Sequence, residues 1–95
     1  MIIPVQALPN QKFNVDLDGQ NCEIEILMRG LSLYMNLSID DKVIQNGMIC
    51  LNNVDIIQYN HLPFKGRMFF QDTQGNLDPL YYGLGDRWIL NYVQQ

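Results

Sequence analysis

Over its first fifty residues the chain alternates apolar and polar positions with a period of two, the pattern of half-buried β-strands. Phe13, Val15 and Leu17 alternate with polar residues, Asp18-Gly19 follows, and Cys22, Ile24, Ile26 and Met28 then alternate in their turn. Two such runs around Asp-Gly predict a hairpin with a two-residue turn, which sets Val15 opposite Cys22, Phe13 opposite Ile24 and Lys12 opposite Glu25. The register is tightly specified, because a one-residue slip would send the whole apolar set into water. After Arg29-Gly30, Leu31, Leu33, Met35, Leu37 and Ile39 alternate with Ser32, Tyr34, Asn36 and Ser38, which predicts a second strand of about nine residues. Asp40-Asp41 then turns the chain toward Val43-Ile44, Gly47 and a strand from Met48 to Leu51. A two-residue turn there pairs Leu33 with Met48, whereas a four-residue turn pairs Met35 with Met48 and Leu33 with Cys50. Both registers bury Met48 and Cys50.

The flanking segments carry weaker signals. Ile2 to Leu8 is interrupted by Pro4 and ended by Pro9-Asn10, so residues 1–9 suit an edge strand or an arm reaching onto a neighbour. Asn52-Asn53 predicts a turn, Val54 to Tyr59 a short strand, His61-Leu62-Pro63 a loop, and Arg67 to Gln71 another strand. In the last strand, Asp86 to Val93, both faces carry apolar residues, Trp88, Leu90 and Tyr92 on one and Ile89 and Val93 on the other, as a central strand requires. Helical spacing is not sustained anywhere. The expected fold is therefore all-β, an antiparallel barrel-like sandwich of seven or eight short strands forming a single domain over residues 1–95.

Residues 72–86 interrupt this pattern with turn residues at almost every second position: Gly75-Asn76, Asp78-Pro79, Gly83 and Gly85. Such spacing predicts a long but ordered loop. Tyr81 and Tyr82 lie inside it, and aromatic rings on a loop held by glycine and proline turns are rigid contact material with little side-chain entropy to lose. Tyr81, Tyr82, Asp78 and Pro79 are the candidate partner-binding residues. The competing reading is that the two tyrosines cover the open end of the core.

Composition narrows the function classes. Ninety-five residues with 47% hydrophobic and 17% charged positions make one globular core. The net charge is -4, and the six basic residues are scattered singly, so neither nucleic acid nor an anionic membrane finds the basic patch it needs. No apolar run approaches membrane length and the start, Met1-Ile2-Ile3-Pro4, lacks a signal-peptide pattern, so synthesis in a cytosol is expected, with Cys22 and Cys50 reduced on apolar faces. His61 has no second histidine, and no cysteine pair has ligand spacing. Asp72, Asn76 and Asp78 resemble oxygen ligands, but the glycine and terminal glutamate of a calcium loop are missing. Gly83-Leu84-Gly85 precedes a strand instead of a helix, and Ser32 and Ser38 have no nucleophile turn around them. Neither an enzyme activity nor a cofactor is expected.

Taken together, Ile3-Pro4-Val5-Gln6-Ala7, Pro9-Asn10-Gln11, Val15 to Ile24 (VDLDGQNCEI) and Gly47 to Leu51 resemble the small plug proteins of contractile-tailed phage baseplates. The most specific block is Asp72-Thr73-Gln74-Gly75-Asn76, Asp78-Pro79, Tyr82-Gly83-Leu84-Gly85 and Arg87. The chain departs from the family at Asp40-Asp41, where a glycine is usual. The resemblance implies a structural virion protein in the tail baseplate, assembled in the host cytoplasm. It would sit at the hub, contact hub and tail-tube proteins within a symmetric complex, and carry no enzyme activity. A rival from another class is a small glycan- or ligand-binding β-module that stacks its ligand on Tyr81, Tyr82 and Trp88.

Overall fold

The computed structural model describes residues 1–57 and 64–94. It contains seven strands: β1 (Ile2–Ile3), β2 (Asn10–Leu17), β3 (Gln20–Arg29), β4 (Ser32–Ile39), β5 (Lys42–Cys50), β6 (Arg67–Asp72) and β7 (Trp88–Val93). They form two antiparallel sheets, one of order β2-β3-β4-β5 and one of order β1-β7-β6. The inner faces hold Ile24, Ile26 and Met35 on the first sheet and Phe70, Trp88 and Leu90 on the second, each shielded from solvent. Such facing apolar sets make a β-sandwich. Among the described residues the two sheets do not close into a barrel. On one side Asn52 bridges to Phe70, and on the other the edges of β1 and β2 face each other unpaired.

The β2–β3 hairpin has the expected register, with Val15 opposite Cys22, Phe13 opposite Ile24 and Lys12 opposite Glu25. Its Asp18-Gly19 turn places both residues at positive φ, 55° and 80°, the mirror-image turn whose twist matches that of the flanking strands. The Lys12 ammonium leans instead toward the diagonal neighbour Glu23, 3.5 Å away.

The open register after Ile39 resolves into a combination of the two possibilities. Asp40-Asp41 is a two-residue turn, since Ile39 pairs with Lys42. Yet Met35 pairs with Met48 and Leu33 with Cys50, the pairing of a longer turn. Two bulges in β5 absorb the difference, one at Ile44 and one at Asn46-Gly47, where Gly47 adopts a φ of 70° and its N–H donates to Asn36 Oδ1 at 2.8 Å. Cys22 and Cys50 are buried and free, on strands separated by β4.

Two expectations change. Leu31 belongs to the Gly30-Leu31 turn rather than to the buried phase of β4, and is 90% exposed. Val54–Ile57 is not a strand: Asp55 accepts the N–H of Ile57 in a local turn, a bond that diverts the backbone from a ladder. Tyr59 and the His61-Leu62-Pro63 loop lie outside the described residues. Of the two readings of the N-terminal segment, Ile2–Ile3 takes the edge strand: it pairs with Leu90 and Asn91 of β7, with Ile3 buried and Ile2 exposed, and β7 is central in its sheet as expected.

Polar ties join the two layers where the strands do not. Gln20, buried at the start of β3, donates to Leu17 O and accepts the N–H of Lys65, just ahead of β6. The Tyr92 hydroxyl donates to Asp18 at 2.5 Å. These bonds satisfy buried polar atoms and fix one sheet against the other.

Candidate functional site

The loop between β6 and β7 is organised from its neck outward. Asp72 ends β6 opposite Trp88, so the hairpin ladder brings Asp72 beside Arg87. Arg87 donates through Nε to Asp72 Oδ1 and through Nη2 to Oδ2, both at 2.8 Å, a two-point fork that only a guanidinium and a carboxylate can make. The same oxygens accept the N–H groups of Gln74 and Leu77, each at 2.9 Å. The Asp72 side chain is thereby wholly shielded from water. The guanidinium beside it, together with the two N–H groups, holds its carboxyl well below the usual carboxylate range although burial works the other way.

Asn52, just past β5, fastens the loop to the body. Its Oδ1 accepts the Asp72 N–H at 2.8 Å, and its own N–H donates to Asp78 Oδ1 at 3.0 Å. Thr73 adds two bonds to Arg87 O, from its N–H and its hydroxyl. Most of these anchors are side chains answering backbone groups that the loop would otherwise leave unpaired.

Trp88 is the floor. It is fully buried, its Nε1 donates to Leu77 O at 3.0 Å, and the Arg87 guanidinium lies 4.5 Å above its ring. A short 3-10 turn over Tyr81–Gly83 brings Tyr82 edge-on to the indole, centroids 6.0 Å apart at 77°, and Tyr81 edge-on to Tyr82. Gly83 is required here because any Cβ would collide with the Trp88 ring.

The four expected contact residues separate into different roles. Pro79 is buried. Asp78 is occupied by Asn52, and Tyr81 is half-buried against the core. Tyr82 alone of the four presents a large side chain to solvent, at 63% exposure. Leu77, whose carbonyl accepts the Trp88 N–H, is also exposed, at 56%, and was not among the expected residues. Its signal was a lone apolar residue amid Gly75-Asn76 and Asp78-Pro79. Trp88, with its ring buried and its N–H committed, is not available as a stacking platform, which removes the broadest ring from the glycan-binding reading.

The whole chain, residues 1–95, matches the family described as the cyanophage baseplate Pam3 plug gp18. The chain belongs to this family. No curated protein matches it. Membership makes the plug a structural virion protein of a phage tail baseplate, where it meets other baseplate proteins. At the neck Asn52, Asp72 and Thr73 are committed to backbone groups and Arg87 to the Asp72 carboxylate, while Leu77 and Tyr82 are exposed along with the polar residues Thr73, Gln74, Asn76 and Asp78.

Proposed function

We propose that the chain works as a plug or adaptor at the baseplate hub, docking onto hub and tail-tube proteins through the tip of the 72–86 loop and doing so within a symmetric complex assembled in the host cytoplasm. The observation that carries this reading is the exposure of Tyr82 and Leu77 on a loop clamped by the Asp72–Arg87 pair. Exposed apolar side chains cost little to desolvate, and a rigid support spares the ordering entropy that a mobile loop would lose on docking. Asp78 and Pro79 shape the tip from below. Tyr81 backs Tyr82 from its half-buried position, so it contributes to docking through the orientation of its neighbour.

The test is separate replacement of Tyr81 and Tyr82 by alanine, followed by melting of the free domain and by incorporation into purified virions. Tyr82→Ala is expected to melt close to the parent and to lose on the order of 2 kcal/mol of binding, roughly thirtyfold in affinity for hub components. Tyr81→Ala is expected to cost folding stability first. Normal incorporation of a Tyr82→Ala, Leu77→Ala double variant would move the docking surface elsewhere.

A further inference from the structure

The two sheets leave four edges, and three of them are blunted. β5 carries the bulges at Ile44 and Asn46-Gly47, β6 is bridged by Asn52 and accepts the Ile56 N–H at Met68 O, and β1 is only two residues long. β2 is different: eight residues, with no bulge and no proline. Leu17 and Gln20 close its hairpin as a bonded pair, so the odd-numbered residues bond to β3 and the N–H and C=O groups of Lys12, Asn14 and Asp16 point away from it. The bond from Met28 N–H to Pro9 O at 2.9 Å continues the odd series. Among the described residues no backbone bond reaches Lys12, Asn14 or Asp16 from the free side. Beside this edge lies a groove of about 530 Å³, between the Ile3–Leu8 segment and the half-buried side chains of Phe13 and Val15. An unprotected edge over an apolar groove is a template for a further strand.

The identity of that strand follows from charge. We infer that the edge pairs antiparallel with β2 of a second copy, about a two-fold axis at Asn14. In that register the outward-pointing groups match, Asn14 facing Asn14 and Lys12 facing Asp16 of the other copy, twice by symmetry. On the inner face Phe13 meets Val15 of the other copy, again twice, which carries the apolar layer of one sandwich into the next and fills the groove. Sliding one strand by two residues breaks the match, since it sets Lys12 or Asp16 against Asn14, and sliding by four sets Lys12 against Lys12 or Asp16 against Asp16. Lys12, an edge lysine that would repel other strands, thus becomes a register key for this one. The result is one continuous eight-stranded sheet across two copies. This pairing uses other residues than docking at the hub, which rests on Tyr82 and Leu77 of the 72–86 loop.

Sedimentation equilibrium of the full chain over a concentration series tests it. The parent is expected to show a monomer–dimer equilibrium. Asn14→Pro removes one outward N–H, a change an edge strand tolerates, and should leave strand circular dichroism intact while abolishing the dimer. Lys12→Glu should weaken the dimer at least about tenfold, and Lys12→Glu combined with Asp16→Lys should restore it, because the swapped charges again face one another. A parent that stays monomeric overturns the inference, as does a dimer indifferent to Asn14→Pro or to the single charge reversal. Failure of virion incorporation with an intact β2 dimer would count against the hub reading alone.

Discussion

At the scale of single residues, the most informative group is Asp72. Its carboxyl is held below the ordinary value of 3.8 by Arg87 and by the N–H groups of Leu77 and Gln74, so folding favours the ionised form. A depressed carboxylate contributes stability that is complete above the unfolded value and is lost as pH falls through the folded one. On the alkaline side the signs reverse. Burial, then the Asp18 carboxylate, push the Tyr92 hydroxyl from 10.0 up to about 12, and burial pushes the Cys50 thiol from 9.0 up to about 12. Their neutral forms belong to the folded state, so their contribution is whole below the unfolded values and drains as pH rises toward the folded ones. The melting temperature is therefore expected to be level from about pH 5 to about pH 8 and to fall on both sides. Asp72→Asn should lower the plateau and flatten the acid limb, while Tyr92→Phe should flatten part of the alkaline limb. An unchanged acid limb in Asp72→Asn would assign acid sensitivity to other carboxylates. The sequence showed Asp72 as a turn residue and a poor calcium ligand, and Arg87 as one residue of a strand. Fifteen positions separate them, and no local pattern joins residues whose meeting depends on a hairpin register.

At the scale of elements, alternation and turn chemistry were enough for the β2–β3 hairpin, because Asp-Gly and the two apolar runs demand one register. They were insufficient for β4–β5. A bulge adds a residue without leaving a periodic trace, and nothing in the spacing marks Gly47 as the positive-φ position of a bulge. Leu31 was misplaced for a related reason: the count of alternating residues ran one step past the point where Gly30 turned the chain. The Asp40-Asp41 turn gives the clearest prediction here. Both residues have positive φ, 51° and 65°, which costs an ordinary side chain energy that glycine does not incur, and the two carboxylates repel. Asp41→Gly is expected to stabilise the domain by about 1 kcal/mol, some 4–8 °C in a domain of this size. Urea and thermal midpoints measure it. A variant no more stable than the parent would mean that the aspartates recover the backbone cost through local hydrogen bonds.

At the scale of the whole molecule, the sandwich is joined on one side by the Asn52 bridge and stands open on the other, and the N-terminal segment is what limits the opening. The apolar spacing of Ile2 to Leu8 left an edge strand and a free arm equally open, since a short run with a proline inside has the same look in both. The structure puts Ile3 at 1% exposure and pairs β1 with β7, while Gly85, at a φ of 84°, lets the loop after Tyr82 pass against Val5 O where a side chain could not fit. β1 therefore holds the second sheet, and Val5, just past it, lies against Gly85 at the base of the 72–86 loop. Deletion of residues 1–3 removes a buried isoleucine and the bonds of β1, a loss of at least about 3 kcal/mol, which for a domain of this length lowers the melting temperature by about 10 °C or more. Ile2→Ser, by contrast, alters only an exposed side chain and should melt like the parent. The pair of measurements separates two roles for the same segment. If the deletion melts normally, β1 is an arm laid loosely on β7 and its purpose is contact with a neighbour. If the deletion is destabilised and Ile2→Ser melts normally but fails to incorporate into virions, the strand serves both, Ile3 inward for the fold and Ile2 outward for assembly.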